Sequence, residues 1–65
     1  METKILIPTE TYAEKTKQVL ERARIRWVMQ RITAKEGCSF RFSVTAPAGT
    51  VNALLESARI PYRIG

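Results

Sequence analysis

The sequence predicts an α+β domain of the ferredoxin-like split type. The order is βαββαβ, with a four-stranded antiparallel-type sheet and two helices on one of its faces. Three observations carry this reading. A segment near residue 20 recurs 35 residues later, so the chain divides into two similar halves. Residues 39–45 alternate apolar and polar side chains with the period of a strand buried on one face. The whole chain is 65 residues, enough for one small domain, residues 1–65, and too short to enclose a large active site.

The repeat sets Leu20-Glu21-Arg22-Ala23-Arg24-Ile25-Arg26-Trp27 against Leu55-Glu56-Ser57-Ala58-Arg59-Ile60-Pro61-Tyr62, with five of eight positions identical. The same offset lays Ile5-Leu6-Ile7 on Phe40-Arg41-Phe42, two short apolar stretches of the strand type. Each half then reads strand, helix, strand.

Lys4 to Pro8 forms the first strand, closed by its proline. A helix follows. Thr11 and Glu14 have the spacing of a capping box, and Thr9 is the competing cap. Tyr12, Thr16, Val19, Leu20 and Ala23 share one face of that helix, which ends near Arg24-Ile25 without a glycine. Arg26 to Thr33 is the second strand. Ala34 to Gly37 turns the chain, and Gly37 is free to take a positive φ.

Ser39 to Thr45 is the third strand, with Phe40, Phe42 and Val44 inward. Pro47 and Gly49 lead into a second helix whose apolar face is Val51, Leu54, Leu55 and Ala58. Pro61 stops it before a short last strand, Tyr62 to Ile64. Right-handed crossovers place both helices on one face. The first and third strands become central and parallel to each other, with the second and fourth at the edges. The expected core is Ile5, Ile7, Leu20, Phe40, Phe42, Val44 and Leu55.

Composition narrows the chemistry. There is no histidine, which excludes Ser-His, Cys-His and His-metal sites, and no metal site is expected. One cysteine excludes an internal disulfide, and six Glu without any Asp leave few carboxylate pairs. No apolar run approaches the roughly 20 residues of a membrane span, and Met1 to Lys4 lacks the apolar character of a signal peptide. A free thiol suits a reducing compartment, so a cytoplasmic protein without cofactor or membrane contact is expected. Eleven basic residues against six acidic give +5. Five of them fall between Arg22 and Lys35 with no acidic residue among them, which suits an anionic partner as well as a solvated helix end.

Cys38 stands between the Gly37 turn and the Phe40 strand, and is the one candidate for nucleophilic chemistry. Arg31, Lys35 and Arg41 are near in sequence and would stabilise a thiolate and bind an anionic partner. The alternative is a small half-buried apolar residue. The sheet face away from the helices would carry Leu6, Ser39, Arg41 and Ser43. Either Trp27 or Val28 points there, which makes Leu6 and Trp27 candidates for an interface. The plainer role for Trp27 is packing at the core or an edge. An open face on so small a domain favours a homodimer. RNA-binding domains share the βαββαβ order, and Gly37 to Phe42 weakly echoes their third-strand motif. Ile5-Leu6-Ile7 offers no ring in the first strand, however, so nucleic acid is the lesser alternative.

Over nearly its whole length the chain resembles the small selenium/sulfur-carrier-like domains found mostly in bacteria. The resemblance rests on the Ile7-Pro8-Thr9 turn before the first helix and on Gln30-Arg31 ending the second strand. It rests further on Gly37-Cys38 leading into Phe40-Arg41-Phe42, and on the Leu54 to Ile64 close. It implies the same fold and a carrier role for Cys38, with a sulfur donor or acceptor protein as partner. Such a protein is not an enzyme in the ordinary sense but at most a persulfide carrier. A non-catalytic interaction or dimerisation module using the open face is the other reading.

Overall fold

The computed structural model describes residues 1–35 and 37–64. The elements follow the expected order: β1 (Thr3–Ile7), α1 (Glu10–Arg22), β2 (Trp27–Ala34), β3 (Gly37–Val44), α2 (Ala48–Ser57) and β4 (Arg63–Ile64). They form an α+β unit with one four-stranded sheet in the order β2-β3-β1-β4. β1 and β3 are central, as expected, but they are antiparallel rather than parallel. The connections explain why. A helix crossover brings β2 back along the direction of β1, and the hairpin then reverses the chain, so β3 opposes β1. Every neighbouring pair is antiparallel.

Register fixes which residues face the helices. Ile5 lies opposite Phe42 and Ile7 opposite Phe40. These four and Val44 are buried on one side of the sheet against Ala13 and Leu20 of α1 and Val51 and Leu55 of α2. All seven core positions expected from periodicity are buried. The core also takes Ala46 and Ile60, which sit in corners where no period is defined. Thr3 and Thr16 are the buried polar residues among those described, and both are satisfied. The Thr3 hydroxyl donates to the Ala46 carbonyl oxygen at 2.7 Å, and the Thr16 hydroxyl to that of Tyr12 at 2.8 Å.

The cap of α1 is Thr9 and not Thr11. Thr9 is extended (φ −135°, ψ 158°) and its Oγ1 accepts from the Tyr12 backbone N–H at 3.3 Å, while Thr11 already lies inside the helix. Thr9→Ala is expected to lower stability by about 0.5–1 kcal/mol in urea denaturation, the lower part of the range for lost caps because the bond is long. Thr11→Ala should leave the midpoint in place. The reverse ranking would restore the capping box. Ala23, expected on the buried face, is exposed because α1 closes there.

Both helices end in the same way. At the end of α1 the Arg24 amide donates to the Glu21 carbonyl and the Ile25 amide to that of Leu20, each at 3.0 Å, with Arg24 at φ 56°. At the end of α2 the Arg59 amide donates to Glu56 at 3.1 Å and the Ile60 amide to Leu55 at 2.9 Å, with Arg59 at φ 57°. This is the Schellman arrangement, in which the residue after the cap is left-handed and the next one folds its side chain onto the last turn. The sequence repeat is therefore a repeated helix exit. Leu and Ile form its apolar contact, and an arginine stands where glycine is usual.

At the hairpin Ala34 pairs with Gly37, so the strands run closer to the turn than the sequence suggested. Gly37 has φ 130°, a conformation side chains rarely adopt. Glu36, part of the expected turn, lies outside the described residues.

Candidate functional site

Cys38 is the second residue of β3, unpaired and exposed. Its register partner is Thr33. Because Ile7 pairs with Phe40, Cys38 lies beyond the end of β1, at the edge of the sheet from which α1 departs. Arg31, opposite Phe40, shares the helix-side parity of Cys38, and its guanidinium carbon is 5.9 Å from the centroid of the Phe40 ring. Lys35 is exposed in the turn. Arg41 has the opposite parity and belongs to the other face. The three basic residues expected around the thiol are thus divided. Arg31 shares the face of Cys38 two residues farther from the turn, Lys35 is exposed in the turn itself, and Arg41 is separated from the thiol by the sheet.

The register also decides the aromatic. Trp27 lies opposite Val44 on the helix side, with its ring centroid 5.6 Å from that of Phe42 at an interplanar angle of 51°. It packs against the core and does not project from the open face. Val28, opposite Ser43, is the residue that does, at 67% exposure. Leu6 is on the open face, half-buried.

Across that face one row crosses all four strands: Gln30 of β2, Arg41 of β3, Leu6 of β1 and Arg63 of β4. Two arginines therefore flank one leucine. The Arg41 Nε is buried without a hydrogen-bond partner among the described residues. None of the strands carries a carboxylate, and the one ion pair among the described residues is Lys17–Glu14 on α1. Next to this row a cleft of about 360 Å³ opens between β1 and β4, lined by Leu6, Pro8, Ser39, Pro61, Tyr62 and Arg63. The Tyr62 hydroxyl donates to Glu56 Oε1 at 3.4 Å. Partial burial, and then the neighbouring Glu56 carboxylate, hold this phenol above its ordinary value. The cleft was not foreseen from sequence. It depends on β4 docking against β1, a contact between chain ends that no local pattern encodes.

Among the described residues no group of three metal-binding side chains comes together, and no helix is long and apolar enough to cross a membrane. Comparison with known proteins gives no match: no family model, no curated protein and no solved structure is significantly similar to this chain.

Proposed function

We propose that the chain is a ferredoxin-like split-βαβ carrier domain that accepts and passes on a sulfur or selenium atom through the thiol of Cys38, in a reducing cytoplasm. The observation that supports this is the exposure of Cys38 at the hairpin end of a central strand, outside the packed core. In the transfer, the Cys38 thiolate attacks the outer sulfur of a persulfide on a donor protein. The new S–S bond to Cys38 forms as the donor's S–S bond breaks, and the donor leaves as a thiolate. An acceptor takes the sulfur by the same exchange, so no oxidant or reductant is consumed. Arg31 on the face of the thiol and Lys35 in the adjoining turn are the cations suited to the anion and to an acidic donor surface. The test is intact mass after incubation with a cysteine desulfurase and cysteine. A gain of one sulfur atom, reversed by reductant and absent in Cys38→Ser, is expected. No gain, or an equal gain in Cys38→Ser, removes the carrier reading.

A second reading, a homodimerising interaction module, has its own observation. β2 is eight residues long, contains no proline and is hydrogen-bonded to one neighbour only, with Val28 exposed beside the free edge. Pairing of two such edges would give one continuous eight-stranded sheet. Light scattering at high protein concentration should then report twice the mass of the chain, and Val28→Lys should restore the monomer. A monomer at all concentrations ends this reading. Nucleic acid is the weaker partner, because the rings of Trp27, Phe40 and Phe42 all lie on the helix side and are not available for base stacking on the open face.

A further inference from the structure

The geometry points to a binding site for a small organic anion in the cleft between β1 and β4, with the acid group held by Arg41 and Arg63 and the apolar body against Leu6, Pro8 and Pro61. This inference does not rest on the role of Cys38, which lies on the other side of the sheet.

Three observations converge on it. The first is placement. Arg41 and Arg63 are the two register neighbours of Leu6, one on each side. Strand spacing puts their Cα atoms about 10 Å apart, a span over which two arginine side chains can close on one anion. The second is lack of internal partners. Among the described residues neither guanidinium is in an ion pair and the Arg41 Nε is out of water with no acceptor, and no strand carries a carboxylate. An orphaned buried donor is costly, and the fork of a guanidinium matches the paired oxygens of a carboxylate or phosphate. The third is shape. A space of about 360 Å³ adjoins this row, lined by Leu6 and Arg63, with Arg41 just outside its wall on the far side of Leu6, and it is the size of small-molecule sites. Its walls include two prolines and a leucine, Ser39 adds a polar residue to the lining, and the Tyr62 hydroxyl is already engaged by Glu56.

A carboxylate and a phosphate monoester offer the same recognition chemistry, and the experiment separates them. The full chain, labelled with ¹⁵N, is titrated at constant ionic strength with phenyl phosphate, benzoate, inorganic phosphate and benzyl alcohol. Saturable shifts are expected at the amides of Leu6, Ser39 and Arg63 and at the Arg41 Nε–H. The better of the two aromatic anions identifies the acid. Inorganic phosphate should bind more weakly for want of an apolar body, and benzyl alcohol should not bind. Arg63→Gln is exposed on a two-residue edge strand and leaves the core untouched, and it should weaken binding by about tenfold or more, the loss of one charge-assisted contact. Arg41→Lys keeps the charge but removes Nε, and should also weaken it. The inference is overturned by shifts spread equally over Arg22, Arg24, Arg26 and Arg59, by binding of benzyl alcohol as tight as that of phenyl phosphate, or by unchanged affinity in Arg63→Gln.

Discussion

Phe42→Ala is expected to remove a large part of the stability of the domain. Phe42 is fully buried, sits in a central strand, and faces Ile5 on one side and Met29 on the other. The Trp27 ring leans on it at 5.6 Å, so the truncation also removes the surface against which the single tryptophan packs. Phenylalanine-to-alanine changes in cores cost about 3–5 kcal/mol. A domain of this length has roughly 3–10 kcal/mol in all. Urea denaturation followed by circular dichroism and by Trp27 fluorescence would measure the loss. Phe42→Leu, which keeps most of the volume, should cost less than about 1.5 kcal/mol. Equal losses in the two variants would mean that the site collapses around any smaller side chain. An unchanged midpoint in Phe42→Ala would mean that residues 40, 42 and 44 do not face the helices.

That core was legible because periodicity is local. Phe40, Phe42 and Val44 alternate with polar residues, and Leu20 and Leu55 recur at helical spacing, so each could be assigned without knowing what it touches. The central place of β1 and β3 and the edge places of β2 and β4 were legible from the crossovers, and the antiparallel relation of β1 and β3 follows from the same connections once the hairpin between β2 and β3 is counted. Side and register across strands were harder to read. Whether Trp27 or Val28 faces outward depends on how β2 slides along β3, and one step of register exchanges them. The cation cluster around Cys38 was inferred from nearness in sequence. Alternation along β3 assigns Arg41 to the far face, where it shares a row, across Leu6, with Arg63, a residue 22 positions away whose importance depends on β4 reaching β1. Thr9 in place of Thr11 is a contest between two adequate caps, decided by the helix starting at Glu10, directly after the extended Thr9.

The second large effect concerns the repeat. Replacing Arg24 and Arg59 together by glycine is expected to stabilise the domain. Both residues sit at a φ near 57°, where an L side chain crowds the following carbonyl and costs about 1–2 kcal/mol. Glycine removes that crowding, but it also gives the unfolded chain freedom worth about 0.4–1 kcal/mol. The balance is a gain of about 0.5–1 kcal/mol at each site. β2 and β4 run in opposite directions, so the two exits lie at opposite ends of the sheet and their effects should add. Together they should raise the melting temperature by roughly 4–15 °C for a domain of this size. Removing two positive charges from a chain of net charge +5 would also relieve repulsion, so a control must separate charge from backbone. Arg24→Ala with Arg59→Ala provides it, because alanine loses the same charges but keeps the crowding Cβ. If the double alanine variant gains as much as the double glycine variant, relief of charge is responsible and the left-handed exits carry no strain. If only glycine gains, the chain maintains an arginine at both equivalent exits against a backbone cost, and the guanidinium groups themselves become the next candidates for contact with an anionic partner.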